Sequence, residues 1–580
     1  MSCLPYISLQ PNYPDVFGDI ASSTVSTEKV WLSAYSANAP SGSIHAKLDL
    51  HATPVSDAAE EDAETQGGVR IDSVTGGERD DLRVQRVKGS QLDLLVSSGT
   101  AGQQHPDRHD HQRSARVLQP AIALPPTHLR LPKRSIGKVL PASRTGQINQ
   151  NFTAYPNIEA FDVSATQNGL FVAGGEEGAL VVGNLIDSSE MLSVMDSLED
   201  EDKEALQGRH GEEKRIEALA SLKIKEREER SRREKKVYLK GHVGDVRSAR
   251  FFPSGEVVLT TSSDLSTRIF SALDGSNPRT LTGHKRAVLC SGILGRGREI
   301  LTGGGDGTVR LYDVGEGKQK TMFGVERFSS VNAMVVPLLD APSAGGQVEA
   351  GEAAAAAVPN EFAVGLSSGH AEVMDIRAKK RAGIVGGYAF PPGPPPKASD
   401  SWTQEASTGQ VLAIDWYRAG GRNLIATGTV KGYVSIYDAR MLGSSAETPA
   451  RVPPKALLAS WKRNGSAVNS IKIVEAGSAG GGSVDVLVAT ADGLPYRARV
   501  HLGADRPTAS TEDPPEMEID ADPLQQQQQQ EEDKTPMWYG HRATVVEEFC
   551  GWDCDPTGVI TLDHKGRVVI AGSDARIKRY

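Results

Sequence analysis

Histidine, aspartate and hydroxyl side chains recur together at two places in the chain, and they are the residue types of a hydrolytic triad. His242 and His284 are each followed 22 residues later by an aspartate, Asp264 and Asp306, with serines and threonines in between. A triad needs such a base, an acid that orients it and a hydroxyl nucleophile. These residues are therefore either catalytic or structural, and the secondary structure predicted around them distinguishes the two roles.

A second catalytic pattern occurs at residues 365–369, where GLSSG matches the G-x-S-x-G sequence of a nucleophile elbow. Such an elbow needs a strand, a sharp turn and then a helix, because this arrangement exposes its serine. Here the apolar alternation of AEVMDI predicts a second strand after the turn. We therefore interpret the match as a turn between two strands.

Metal and cofactor motifs are missing from the sequence. It has no Walker loop, HExxH motif, dinucleotide fingerprint or zinc-finger spacing. The four cysteines include no CxxC pair, which favours reduced thiols over structural zinc; they are Cys3, Cys290, Cys550 and Cys554. His105, His109 and His111 lie in a polar segment that favours a solvated tail over a metal site. We predict a protein that is not an enzyme and has no cofactor or metal site.

Charge and hydropathy exclude several classes of partner. The 580 residues carry 64 Lys and Arg against 74 Asp and Glu, a net charge of -10. No overall basic field is therefore available to attract nucleic acid or an anionic membrane. The sequence also contains no apolar run of about 18 residues and no secretory signal at its start. We expect a cytoplasmic and nuclear protein with no nucleic-acid or membrane partner.

The strongest pattern is an internal repeat. LKGHVGDVRSARFFPSGEVVLTTSSDLSTRIF and LTGHKRAVLCSGILGRGREILTGGGDGTVRLY align without gaps, and their histidines are 42 residues apart. WD repeats have a period of roughly 40 to 45 residues, and each forms one four-stranded propeller blade. Both segments alternate apolar and polar residues, as half-buried strands do.

The second half of this unit, a strand, a glycine turn and another strand, recurs elsewhere, for example in IATGTVKGYVSIYD. Counting all such units predicts an all-β, seven-bladed WD-repeat β-propeller with long disordered or helical insertions. The predicted blades cover residues 157–185, 237–273, 279–313, 327–377, 409–440, 466–499 and 538–580.

Composition divides the chain into an N-terminal region at 1–150, partly disordered, and the propeller at 151–580. Residues 51–118 are poor in periodic apolar residues, which predicts disorder there. The first propeller insertion favours a charged, solvated helix, although its basic end also fits a nuclear localisation signal. The last one contains a polyglutamine run. The predicted insertions are 187–236, 339–358, 388–408 and 501–537.

The last blade requires a strand from elsewhere in the chain. Tyr580 aligns with Phe270 and Tyr312 on the third strand of a blade, so the fourth strand is missing. An open sheet edge invites aggregation, and we therefore expect an N-terminal segment to pair there. The two candidates are KVWLSAY at 29–35 and LRLPKRSIGKVL at 129–140, and the sequence favours neither.

Within this repeat the histidine–aspartate pairs are expected to be structural. The histidine precedes the first strand and hydrogen-bonds the turn aspartate, with a strand hydroxyl such as Thr260 nearby, so that buried polar groups are satisfied. His541 and Asp574 are candidates to repeat the arrangement in the last blade.

The turns between second and third strands should converge on one face, which is the candidate binding surface. Five of the seven aligned turn positions are acidic. The seven turn positions are Glu177, Asp264, Asp306, Ser368, Lys431, Asp492 and Asp574. Histidines are expected to hydrogen-bond three of these carboxylates, those of Asp264, Asp306 and Asp574. The better candidates for an exposed acidic patch that steers a basic partner are therefore Glu176, Glu177, Asp245 and Asp492. Scattered solvated charges are the alternative.

The block from residue 239 to Asp313 resembles the proteasomal ATPase-associated factor family, WD-repeat assembly chaperones of the proteasome regulatory particle. WLS at 31–33 and the ending CDPTGVITLDHKGRVVIAGSDARIKRY also match that family. The resemblance implies a non-catalytic propeller, monomeric before binding, that binds the C-terminal domain of a proteasomal ATPase subunit during assembly of the base. An acidic face suits this function, because the family is understood to meet basic residues of the ATPase.

A different reading rests on Asp375-Ile376-Arg377 and Asp438-Ala439-Arg440, which match the D-x-R ending of cullin ubiquitin ligase substrate receptors. In that reading Arg377 and Arg440 contact the ligase adaptor. The tripeptide is short, and an arginine after a third strand is also a common surface ion-pair residue. A ligase receptor and a generic WD-repeat scaffold stay open as alternatives.

Overall fold

Strands dominate the described part of the chain in this computed structural model. The structure describes residues 2–36, 43–52, 69–75, 82–87, 90, 92–98, 124–142, 155–166, 169–185, 236–337, 359–385, 409–442, 456–476, 482–502, 543–552 and 555–580. No helix in these ranges is long and apolar enough to cross a bilayer. The four predicted insertions lie almost entirely outside them.

The chain divides into two units. The first combines residues 1–132, 368–373 and 381–555, and the second combines 133–367, 374–380 and 556–580.

The described residues in the N-terminal part of the first unit form eight strands and a helix. They are β1 (Ser2–Cys3), β2 (Tyr6–Leu9), α1 (Tyr13–Ala21), β3 (Thr27–Tyr35), β4 (Ser43–Ala52), β5 (Val69–Thr75), β6 (Leu82–Arg86), β7 (Leu94–Ser98) and β8 (Thr127–Arg130). β2 to β5 form one antiparallel sheet, and β6, β7 and β8 are neighbours in another. KVWLSAY therefore lies in β3, in the middle of an N-terminal sheet.

These strands share an apolar core with α1. Pro14 stands in the first turn of the helix, where its fixed φ suits the helix start, and Val16, Phe17 and Ile20 form the buried face. Leu94 of β7 packs in the same core. The prediction of disorder for 51–118 is therefore wrong at β5, β6 and β7, because each is long enough to place alternate apolar residues in this core.

The second unit contains the first propeller sheets. Up to residue 367, its described strands are β9 (Arg134–Ile136), β10 (Ala160–Val163), β11 (Leu170–Gly174), β12 (Leu180–Asn184), β13 (Val237–Tyr238), β14 (Val246–Phe251), β15 (Val257–Ser262), β16 (Thr267–Ser271), β17 (Arg279–Leu281), β18 (Val288–Leu294), β19 (Glu299–Gly304), β20 (Thr308–Asp313), β21 (Lys318–Gly324), β22 (Val331–Val335) and β23 (Glu361–Leu366). β10–β13, β14–β17 and β18–β21 are antiparallel sheets in chain order. β22 and β23 begin a fourth sheet with β24 (Ala371–Asp375) and β25 (Lys380–Val385), and the division between the units crosses these last two strands.

Two further propeller sheets lie in the first unit. Their strands are β26 (Val411–Ala419), β27 (Arg422–Thr429), β28 (Tyr433–Asp438), β29 (Leu457–Lys462), β30 (Val468–Glu475), β31 (Ser483–Thr490), β32 (Tyr496–His501) and β33 (Ala543–Phe549). β1 extends the first sheet by pairing with β29. β8 pairs in parallel with β33, so the sixth propeller sheet continues into β8, β7 and β6.

The seventh sheet contains β34 (Thr557–Leu562), β35 (Val568–Gly572), β36 (Ile577–Arg579) and β9. β9 pairs antiparallel with β36, Arg134 opposite Arg579, so the segment at 129–140 supplies the fourth strand. The predicted last blade at 538–580 begins too early, because β33 is the fourth strand of the sixth sheet. The fold class predicted from the sequence, an all-β, seven-bladed WD-repeat propeller, is confirmed.

Candidate protein-binding site

The loop before β14 and the turn before β16 are joined by a side-chain network around His242. Its Nδ1 lies 2.8 Å from Oδ2 of Asp264, and its Nε2 lies 2.8 Å from Oγ1 of Thr260. The hydroxyl of Ser266 donates to Oδ1 of Asp264 at 2.6 Å. The loop and the turn are therefore fixed to the strand between them.

The next sheet repeats the network around His284. Its Nδ1 lies 3.1 Å from both carboxylate oxygens of Asp306, and its Nε2 lies 2.9 Å from Oγ1 of Thr302. The order aspartate, histidine, hydroxyl is that of a catalytic triad. However, Thr260 and Thr302 are both 0% exposed, so no substrate can reach the hydroxyl oxygens.

Protonation follows from the same contacts. Burial lowers the pKa of His242 and of His284, so both rings are neutral at pH 7. Burial alone would raise the pKa of each aspartate, but hydrogen bonds outweigh it and bring the pKa of Asp264 and of Asp306 to about 2. Each neutral ring therefore donates from Nδ1 to a carboxylate and accepts a threonine hydroxyl at Nε2.

The network predicts acid sensitivity. An unfolded histidine binds a proton below about 6.5, whereas the folded His242 and His284 resist protonation, so the free energy of unfolding decreases as the pH falls below about 6.5. The limit is about 1.4 kcal/mol per histidine for each pH unit. Urea unfolding at pH 7.5 and pH 5.5 measures this loss. In the double variant His242→Gln/His284→Gln the loss should shrink, and an equal loss in the variant would contradict the assignment.

The third proposed pair is only partly described. His541 lies outside the described residues, and it precedes β33, which is a fourth strand. Asp574 lies in the turn between β35 and β36 with a φ of 53°, and its Oδ2 lies 3.4 Å from Nη2 of Arg576. Its side chain is 53% exposed.

Three of the four acidic candidates lie together in the second unit. The backbone N–H of Glu177 donates to Oδ1 of Asp245 at 3.3 Å, and Glu176 is the preceding residue of the same turn. Nη2 of Arg247 lies 3.1 Å from Oδ2 of Asp245, and its Nη1 lies 2.5 Å from Oε2 of Glu159. Arg247 therefore contacts the carboxylates of Glu159 and Asp245, and the turn with Glu176 and Glu177 contacts Asp245, so acids outnumber bases in this group of residues.

Glu159 and Arg247 are site residues that the sequence reasoning missed. Burial raises the pKa of Glu159, Arg247 opposes this, and the carboxylates of Asp245 and Glu176 raise it further. Both residues lie on or beside first strands, β10 and β14, and not in the aligned turns. The turn alignment therefore gave no signal for them.

Asp492 belongs to the first unit, in the turn between β31 and β32. It accepts a hydrogen bond from Nδ2 of Asn464, and the backbone N–H of Leu494 donates to its Oδ1 at 3.3 Å. Its carboxylate is thus engaged in fixing a local turn.

Two exposed apolar side chains lie in the same loops as the acidic residues, and neither was a candidate from the sequence. Val243 is 82% exposed and Leu265 is 41% exposed. The available signal was a substitution in the repeat, because Leu265 aligns with Gly307.

The two D-x-R arginines differ in their surroundings. Nε and Nη2 of Arg440 contact both carboxylate oxygens of Asp438, at 2.9 and 2.7 Å, and its Nη1 donates to the carbonyl of Gly421 at 3.0 Å. Arg377 is exposed in the second unit, and its backbone N–H donates to Oδ1 of Asp375 at 2.7 Å.

The remaining sequence candidates do not form a reactive site in the described residues. Ser367 of GLSSG follows β23, and its hydroxyl donates to Oδ1 of Asn332 at 3.1 Å. Burial raises the pKa of the Cys290 thiol to about 12 and also raises the pKa of Cys550. Cys554 and the three tail histidines, His105, His109 and His111, lie outside the described residues.

Comparison with known proteins gives local matches. Residues 233–271 and 275–313 match the family described as WD domain, G-beta repeat. The chain is 47% identical over 57 residues to the 26S proteasome regulatory subunit RPN14 of Saccharomyces cerevisiae, covering 10% of this chain and 14% of the yeast protein. It is 30% identical over 76 residues to the eukaryotic translation initiation factor 3 subunit I of Drosophila willistoni and of Drosophila grimshawi, covering 13% of this chain and 24% and 23% of those proteins.

The matched regions thus span less than a quarter of each relative. They show that this chain contains WD repeats, which generally serve as non-catalytic protein-binding scaffolds, and that part of it is similar to a proteasome regulatory subunit.

Proposed function

We propose that this protein is a chaperone for assembly of the proteasome regulatory particle base, and that it binds the C-terminal domain of a proteasomal ATPase subunit. The 47% identity to a yeast proteasome regulatory subunit is the observation that carries this proposal. In this proposal the protein is a monomer before it binds the ATPase subunit, and it acts in the cytoplasm and nucleus.

The charge distribution of the second unit supports the proposal. Arg247 contacts the carboxylates of Glu159 and Asp245, and Glu176 and Glu177 lie in the turn that contacts Asp245, so acidic residues outnumber basic ones in this group. Such a field accelerates the approach of a basic surface and loses strength as salt increases. A basic face on the ATPase domain would therefore meet this group first.

Affinity purification of the tagged full chain from its own cells at low salt, followed by mass spectrometry, tests the function. We expect proteasomal ATPase subunits without core-particle subunits, as a binder of unassembled ATPase requires. Recovery of cullin adaptor subunits with no ATPase would contradict the proposal and support the ligase-receptor alternative, with Arg377 and Arg440 as the next residues to change.

Charge reversal tests the surface. Glu176→Lys/Glu177→Lys should slow association with the purified ATPase domain by about tenfold at low salt, with a smaller effect at high salt. Glu256→Lys is the matched control, because Glu256 is an exposed acid of the same unit in the turn between β14 and β15. The control changes the charge by two and the double variant by four, so an effect of Glu256→Lys on log k that is half as large would mean that only net charge matters, and would remove these residues from the binding site.

A further inference from the structure

Three loop segments of the second unit meet at one place: Glu176–Gly178, residues 242–245 and residues 263–266. We call this the three-loop surface. A Cβ atom on Gly178 would overlap the carbonyl oxygen of His242, and a Cβ atom on Gly244 would lie 2.5 Å from Oγ of Ser263. The backbone N–H of Ser263 also donates to the carbonyl of Asp245 at 2.9 Å. The segment at 242–245 therefore contacts each of the other two segments directly.

Leu265 occupies a backbone conformation that disfavours it. Its φ is 68°, in the left-handed region, while the aligned residue Gly307 has a φ of 70°. Turns in other sheets use Gly178, Gly432 and Gly493 with φ values of 73°, 80° and 72°. Glycine adopts this conformation without steric cost and leucine does not. Strained residues of this kind cluster at functional sites, where the surrounding structure maintains them.

Val243 is presented by a rigid backbone. Its N–H donates to Oδ2 of Asp264 at 3.1 Å, the carboxylate oxygen that also contacts His242. Its side chain is nevertheless 82% exposed. A fixed loop thus holds an apolar side chain in solvent next to the turn that carries Leu265, so little conformational entropy is lost when a partner covers the two.

We propose that Val243 and Leu265 form an apolar anchor site for a partner segment in which an aliphatic side chain is adjacent to a lysine or arginine. The inference rests on the proposed protein-binding function and specifies the chemistry of the partner. The aliphatic group packs on Val243 and Leu265, and the cation meets Glu177 and Asp245, which belong to the same three loops.

The charge around the two apolar side chains selects this occupant. An acidic segment would face Glu176, Glu177 and Asp245 at short range, and like charges at an interface oppose binding strongly. A purely apolar segment would partly desolvate these carboxylates and would add no favourable charge interaction in return. A basic residue beside the aliphatic one satisfies both requirements.

Photo-crosslinking in cells identifies the occupant without assuming its name. The full chain with Val243→p-benzoylphenylalanine should crosslink to a peptide in which an aliphatic residue adjoins Lys or Arg. The control is Leu273→p-benzoylphenylalanine, because Leu273 is 65% exposed and follows the end of β16 opposite to Leu265.

The outcomes separate the two proposals. A crosslinked peptide of this chemistry within an ATPase C-terminal domain supports both. The same chemistry in an unrelated protein supports the anchor site and overturns the proposed function. Crosslinking at the level of the Leu273 control, or to a peptide without a basic residue, overturns the anchor site whatever the protein is.

Leu265→Gly then separates binding from folding. We expect about tenfold weaker affinity for the crosslinked protein, because the aliphatic contact is lost. The thermal midpoint should stay the same or rise, because glycine relieves the left-handed strain. Unchanged affinity would overturn the inference, and so would a fall of affinity together with a lower thermal midpoint, which would assign Leu265 to folding.

Discussion

Arg463→Met should lower the free energy of unfolding of the first unit by about 3–5 kcal/mol, the cost of leaving one partner of a buried ion pair alone. Arg463 and Glu548 form a salt bridge in which each side chain is only 3% exposed. The guanidinium also lies over the rings of Tyr6 and Tyr496, at 5.1 and 4.5 Å from their centroids. Removing the cation leaves the Glu548 carboxylate in an apolar site with the backbone N–H of Ile7 as its other donor.

The pH dependence of this variant gives a second readout. Burial raises the pKa of Glu548, and Arg463 opposes that rise. Without the arginine, the folded state favours the protonated acid more strongly. The loss of stability should therefore be complete at neutral pH and should diminish as the pH falls toward about 4.5, the ordinary pKa of glutamate. Urea unfolding across this range measures it.

Two controls define the result. Lys29→Ala breaks the pair with Asp49, in which the lysine side chain is 64% exposed, and it should cost less than about 1 kcal/mol. The double variant Arg463→Met/Glu548→Leu should recover much of the stability, because no unpaired charge remains. If the double variant is as unstable as Arg463→Met, packing and not charge accounts for the loss.

A chain that begins at residue 151 should fail to give a soluble monomer. It lacks β9, so the edge of β36 is open, and β36 carries Ile577, Lys578 and Arg579, all less than 9% exposed in the intact protein. It also lacks β8, the parallel partner of β33. Unpaired strand edges of this kind pair with other molecules. Size-exclusion chromatography should show aggregates.

A longer chain that begins at residue 124 is the matched control, since it keeps β8 and β9 and loses the other N-terminal strands. Hydrogen exchange at residues 577–579 should be slow in this chain and fast in the chain that begins at 151. Equally slow exchange in both would show that β36 does not need β9.

The sequence predicted the repeats best where a residue of one type makes the same structural contact in each sheet. His242 and His284 each join a loop to a turn, and the 42-residue spacing between them follows from the length of one sheet and its connections. The glycine of a left-handed turn is visible in the same way. Strong local requirements of this kind leave a pattern that needs no partner from elsewhere in the chain.

Pairing between distant segments was harder to predict. The sequence offered two closing strands, and only the fold distinguishes β9 from β3, because the three residues of β9 are too few to form a periodic pattern. Gly540 and His541 before β33 resemble the start of a blade, which moved the predicted boundary of the last sheet. β5, β6 and β7 were missed because their apolar positions are diluted by polar neighbours when composition is averaged over 51–118.

The acidic turn residues of the candidate site could be predicted from the sequence, but the residues packed around them could not. Glu176, Glu177 and Asp245 lie together as neighbouring loops require, but Arg247 approaches from a strand and partly neutralises them. Asp492 lies in the other unit. The exposure of the Val243 side chain depends on how three loops pack together, which the pattern of residues along the sequence does not predict.

The pairing of β9 with β36 also has a consequence for synthesis on the ribosome. Arg134 lies opposite Arg579, which follows it by 445 residues (579 minus 134). At a translation rate of about 5–20 residues per second, β36 is synthesised roughly 20–90 s after β9. During that time the strand that completes the seventh sheet exists without the sheet, so cellular factors that bind nascent chains have an interval in which to act on it.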